Sequence, residues 1–356
     1  MAVNIMPRSV CQCCWNSECC WTQRCKRAEC IDPFMLKPPR PDEFDFDSEN
    51  PGAALTSALQ RPGGQAEALR HLRGLMERSI DPLKHIDAEQ LSKMLRAGKR
   101  FDEFERLARP DFGCEGWSSG LVEDSRLWLA YRVDSNAQSL HTVLVQDVDG
   151  VDPVRAAVGY CTASLFQKHS SDVQSCTELA QSEDALLWHQ IRKSSNDIVQ
   201  VDLVNALHEP LGAIMLMIYP QPAGSPDFPG IAIPKASRSA RSQTNRQCIT
   251  LTPLPGGSMR MHVAALLSLG DQKTTTQVQQ ESMEGVVRLL RPLVSLWPKR
   301  FEAFLKEQHT ELIHQESFSE QAPFYAVCRG YLTGQAGIKH SSLRQWTYMF
   351  GKHSRK

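Results

Sequence analysis

The densest store of reactive side chains lies near the amino end. Seven of the twelve cysteines, Cys11, Cys13, Cys14, Cys19, Cys20, Cys25 and Cys30, fall within CQCCWNSECCWTQRCKRAEC. Clustered thiolates are soft ligands that suit zinc, so a zinc site at these cysteines is one expectation. Their spacing departs from the paired CxxC arrangement. A leader without stable structure, in which Met6 or Met35 could each start translation, is the other expectation. The second store is the carboxyl end. No acidic residue follows Glu320, while Arg329, Lys339, Arg344, Lys352, Arg355 and Lys356 all do. Cations gathered in this way attract phosphates through counterion release. Lys235, Arg238, Arg241 and Arg246 form a second basic stretch in the loop 235–246, read either as an anion-contacting segment or as a solvated loop.

Catalytic signatures are missing: the chain holds no GxSxG, GxxxxGK[ST], GxGxxG or HExxH. Cys161 with His189, or Cys176 with His169, would make a nucleophile dyad only if local context supported it. Each cysteine sits instead among apolar residues, as small buried cysteines do. The chain is therefore read as a non-enzyme. Its 356 residues are 41% hydrophobic and 22% charged with a net charge of zero, which leaves only local charge asymmetry to speak about partners. No apolar run approaches the ~18 residues of a membrane span, and no signal-peptide core opens the chain. A cytoplasmic protein with reduced thiols is the expectation.

The elements that must position these groups follow from periodicity. Residues 1–64 read as a Cys-rich leader and a Pro-rich, acidic linker. Residues 65–109 read as a helical segment. Leu69, Leu72, Leu75 and Met76 form one apolar face that Asp81-Pro82 ends, and Asp87 caps a second helix carrying Leu91, Met94, Leu95, Phe101, Phe104 and Leu107. Residues 110–298 open with a hairpin, Arg126 to Val133 and Leu140 to Asp147. A helix then starts at Asp152-Pro153 and carries Val154, Ala157, Val158, Cys161 and Leu165. Leu179, Leu186, Leu187 and Ile191 predict another helix over Thr177 to Lys193. Val199, Val201 and Leu203 alternate in a half-buried strand, and Ala213 to Tyr219 is apolar throughout, as a strand covered on both faces must be. Cys248 to Leu254 and Met259 to Leu267 pair across Gly256-Gly257. Gln277 to Trp297 and Phe301 to Ile313 read as helices, the latter within the C-terminal region 299–356.

Hairpins interrupted by paired helices imply an α+β domain, an antiparallel sheet with helices packed on it, plus a small helical C-terminal unit. This order, with VQVDLVNALHEPLGAIMLMIYP as the two central strands, resembles the GAF-type sensory domain over residues 105–298. The resemblance implies a small-molecule pocket between sheet and helices. Arg329 to Gly351, RGYLTGQAGIKHSSLRQWTYMFG, looks like a helix-turn-helix unit, with Leu332, Thr333, Ala336, Gly337, Ile338, Leu343 and Trp346 at its apolar and small positions. Thr333 departs from the family's preferred Ala. Arg329, Lys339, His340, Ser341, Arg344, Gln345 and Lys352 would then contact DNA. Together the resemblances imply a bacterial-type transcriptional regulator, homodimeric, with a sensor domain controlling a DNA reader. The alternative is a non-enzymatic interaction or secretion-associated protein that uses the leader and basic loop as contacts.

Overall fold

The computed structural model describes residues 50–60, 65–108, 110, 112, 116–121, 127–151, 153–170, 173–182, 185–192, 196–207, 212–221, 228, 230–231, 246–254, 257–269, 272–281 and 285–286. It is an α+β structure whose centre is one nine-stranded antiparallel sheet.

Three helices come first: α1 (Pro51–Gln60), α2 (Gln65–Glu77) and α3 (Ala88–Ala108), with a 3-10 turn at Pro82–Lys84. Asp81 caps that turn by accepting from the Leu83 amide at 3.0 Å. Asp87 accepts from the Gln90 amide at 2.7 Å, the expected N-cap of α3. Leu69, Leu72 and Leu75 are buried with Leu55 and Met94, so the expected stripe holds the helices together. Met76 and Leu95, placed on that stripe by spacing, are 53% and 46% exposed.

The sheet begins with β1 (Trp117–Leu121), β2 (Leu127–Asp134) and β3 (Ser139–Val148). The β2–β3 turn is closed by Asp134, whose carboxylate accepts from the amides of Asn136 and Ala137 at 3.0 and 2.9 Å. The chain then crosses by α4 (Pro153–Cys161) and α5 (Ala163–His169) to the far edge. There β4 (Val173–Gln181), β5 (Ala185–Arg192), β6 (Asn196–Leu207), β7 (Gly212–Pro220), β8 (Arg246–Leu254) and β9 (Ser258–Ser268) run back as a meander. The final strand docks beside β3, giving the order β1-β2-β3-β9-β8-β7-β6-β5-β4. Helix α6 (Gln272–Gln280) follows, its Gln279 amide reaching Ser135 in the β2–β3 turn.

Two expectations fail within this segment. Thr177 to Lys193 is not a helix: it contributes β4 and β5, joined by a tight turn in which the Ser182 amide donates to the Ala185 carbonyl at 2.8 Å. The single helix expected from Pro153 breaks at Thr162, which is extended (φ −82°, ψ 116°) and opens α5. β1 forms where Pro110 to Gly120 reads as a turn-rich break, while β2, β3 and β7 to β9 fall where expected, and β6 extends through Asn205 into what reads as a break.

Period-two alternation gives the sheet two faces. The inner face carries Leu127, Leu129, Leu144, Met261, Val263, Ile249, Leu251, Ile214, Leu216, Val201, Leu186 and Trp188, against α4, α5 and α6. The outer face carries Ala130, Val143, Val145, Ala264, Cys248, Met215 and Met217, against Phe104, Leu107 and Ala108 of α3. An AIMLMIY strand with no polar face is thus explained: Ile214 and Leu216 point one way, Met215 and Met217 the other.

Candidate ligand-binding face

The inner face is apolar over seven adjacent strands, β2 to β5 in sheet order. Cross-strand rows such as Leu129–Leu144–Val263–Ile249–Leu216 stack side chains that are at most 1% exposed. Helix α4 lies over β7 and β8, α5 lies over β4, and α6 touches β2. The Tyr160 hydroxyl on α4 donates to Gln247 Oε1 on β8 at 2.9 Å, tying the crossing helix to the sheet. Phe166 of α5 packs on Trp188 of β5 with ring centroids 5.4 Å apart.

A few polar atoms lie within this layer. Gln190 is buried and accepts from both Nε and the terminal nitrogen of Arg192, at 3.2 and 3.0 Å. Gln146 Oε1 and Trp188 Nε1 are buried and make no hydrogen bond. An acceptor and a donor without partners inside an apolar layer each cost about 1–3 kcal/mol, so each is a place where a ligand's polar atom would gain most.

The outer face carries a linked set of polar groups beneath α3, with Trp117 Nε1 buried there and making no hydrogen bond. Asp202 of β6 accepts from the Tyr219 hydroxyl at 2.7 Å and lies 3.2 Å from Arg100 Nε. The Arg100 guanidinium also stands over the Tyr219 ring, 5.6 Å from its centroid. His141 of β3 donates through Nε2 to the Leu107 carbonyl at 2.8 Å, which fixes its neutral tautomer because a carbonyl only accepts. Trp117 covers the same imidazole at 4.9 Å and carries Arg132 on its own face at 5.4 Å. Burial pushes the His141 imidazole below its ordinary value; the Leu107 carbonyl opposes this, and Arg132 adds to the lowering.

That shift has a measurable sign. A histidine depressed in the fold leaves the unfolded chain holding more protons just below pH ~6.5, so its stabilising share is complete above that pH and falls as pH drops toward the folded value. Urea midpoints taken from about pH 7.5 to about pH 5 should therefore decline. His141→Leu should flatten the decline and cost about 1–3 kcal/mol at neutral pH, because the Leu107 carbonyl loses its donor. An unchanged pH slope in the variant would remove His141 as its source.

The sequence-derived site residues fare unequally. Cys11, Cys13, Cys14, Cys19, Cys20, Cys25 and Cys30 lie outside the described residues, as do Arg329, Lys339, His340, Ser341, Arg344, Gln345 and Lys352. Of the loop 235–246, Arg246 is described; it opens β8 and pairs with Glu103 of α3 at 3.0 Å. Cys161, Cys176 and Cys248 are buried free thiols, and burial pushes that of Cys176 up to about 12. Among the described residues no group of three His, Cys, Asp or Glu is placed to hold a metal, and no helix is long and apolar enough to cross a membrane. The buried Gln146 and the Asp202 cluster were not anticipated. Their one signal is a polar residue inside a strand whose neighbours on the same face are apolar, and which face is covered emerges only from the packing.

Fold and face together describe an antiparallel α+β domain whose sheet is apolar and helix-covered on both faces. No protein-family model and no curated sequence matches the chain. Solved structures do. It is similar to a STAR-related lipid transfer protein from Xanthomonas axonopodis, with 14% identity and a TM-score of 0.39 over 54% of this chain and 99% of that one. It is similar to human STARD10, with 11% identity and a TM-score of 0.42 over 60% and 83%. Human StAR-related lipid transfer protein 5 matches at 12% identity and a TM-score of 0.41 over 62% and 99%.

The GAF resemblance and the regulator function built on it are corrected here. The element order that carried them required paired helices before the central strands, and Thr177 to Lys193 is a hairpin in a nine-stranded sheet. Two of the similar solved structures are named as STAR-related lipid transfer proteins, and neither is a GAF sensor. The regulator reading falls with that resemblance, and DNA binding, helix-turn-helix control and homodimerisation, which rested on Arg329 to Gly351 outside the described residues, find no support.

Proposed function

We propose that the protein is a non-enzymatic binder of a small, largely apolar molecule held between the inner face of the sheet and the helices across it. One observation carries this: buried polar atoms of opposite kind, Gln146 Oε1 and Trp188 Nε1, stand without partners in an otherwise apolar layer. Ligand sites combine this way, predominantly apolar walls with a few placed polar groups. Two of the solved structures are named for lipid transfer; those names describe those proteins, and the reading here stands on the face itself.

Titration of the purified chain with a fluorescent long-chain alcohol tests it, followed by recovery of the probe. Saturable binding with blue-shifted emission and intact probe is the expected result. Absence of saturable binding to fatty alcohol, acylglycerol, sterol and phospholipid probes alike overturns it. A chemically altered probe would replace binding with catalysis.

A further inference from the structure

Gln146 lies on β3 in the row Leu127–Gln146–Met261–Leu251–Ile214, which crosses β2, β3, β9, β8 and β7. The other four members are at most 1% exposed, and Gln146 itself is 5% exposed. Its Oε1 is buried and has no hydrogen-bond partner. An amide in that position destabilises the unliganded fold relative to an apolar side chain of similar volume. Its Oε1 cannot be a structural clasp, because it clasps nothing.

We infer that Gln146 is the polar anchor for the ligand, its amide taking up a hydroxyl at the polar end of an otherwise apolar, uncharged molecule. The inference rests on the binding function proposed above and names the ligand class. Three points of chemistry select a hydroxyl. The carbonyl oxygen needs a donor, which an ester, a ketone or an ionised carboxylate lacks. A hydroxyl both donates and accepts, so it satisfies the amide whichever way its oxygen and nitrogen are turned. An ionised headgroup would need a buried counter-charge, and the row supplies none: Leu127, Met261, Leu251 and Ile214 are all apolar. Fatty alcohols and sterols share this pattern of one neutral hydroxyl on an apolar body.

Matched probes of one chain length separate the possibilities: hexadecanol, methyl hexadecanoate and hexadecanoate, each displacing a fluorescent lipid from the full chain. The wild-type chain should bind the alcohol about 10-fold more tightly than the methyl ester, the increment of one hydrogen bond to an otherwise orphaned group. Gln146→Met, nearly isosteric, should bring the alcohol down to the ester and leave the ester within about 2-fold of wild type. Gln146→Leu should behave alike. Both variants should also raise the urea midpoint of the unliganded chain, which loss of a structural residue would lower. Ester binding without an alcohol preference, or a preference that survives Gln146→Met, overturns the anchor and leaves the proposed binding function standing. Failure of every probe overturns both.

Discussion

Asp202→Ala should lower stability by about 3–5 kcal/mol, read as a fall in the urea midpoint with an unchanged slope. The carboxylate is 5% exposed and Arg100 is 21% exposed, so the guanidinium has little water to turn to once its partner is gone. The Tyr219 hydroxyl loses its acceptor in the same step. The contact with Arg100 is a charge pair rather than an aligned hydrogen bond, and Arg100's partial exposure softens the loss, so the lower end of that range applies. Removing both charges tests the physics more sharply. Arg100→Met with Asp202→Leu should recover most of the loss, because a buried pair replaced by apolar side chains is near neutral whereas a broken pair is not. A single variant within about 1 kcal/mol of wild type would mean that Arg100 of α3 does not reach Asp202 of β6 as described.

Trp188→Ala should be as damaging, at about 3–5 kcal/mol. The side chain is fully buried on the inner face and packs on Phe166. Leu187→Ala should also be costly, at about 2–5 kcal/mol, because the neighbouring residue is fully buried on the opposite face with Ala185 and Phe228. This pairing is diagnostic of a strand covered on both sides. A helix over Thr177 to Lys193 would have placed Leu186, Leu187 and Ile191 inward and Trp188 outside its stripe, so a mild Trp188 variant beside a severe Leu187 variant would restore the helix. The measurement is again a denaturant midpoint, with near-ultraviolet circular dichroism reporting the packing around Trp188.

Misreading of that hairpin has a physical source. Leu179, Leu186, Leu187 and Ile191 are spaced as one helical stripe would be, and the true period of two is interrupted twice. Register shifts fall between Val173 and Ser175 and between Glu178 and Ala180, where β4 bulges against β5. A bulge inserts a residue and flips the alternation, so Leu179 and Ala180 both lie against the outer-face cluster. The polar residues between β4 and β5 also suit a solvated helix surface. Once the hairpin is lost, the element order changes and the family resemblance built on it changes too. Gln146 was equally illegible. LHTVLVQD reads as a half-buried strand ending in polar residues, and only the docking of β9 beside β3 carries Gln146 inside.

By itself the sequence determined whatever depends on neighbours within one or two turns: the Asp87 cap, the hairpins around Asp134 and Gly257, the alternating strands and the α+β class. Tertiary structure alone decided which strands meet across a hundred residues of chain, and therefore which polar side chains end inside. Strand pairing between β3 and β9 is set by burial summed over a whole sheet, and no local pattern carries that sum.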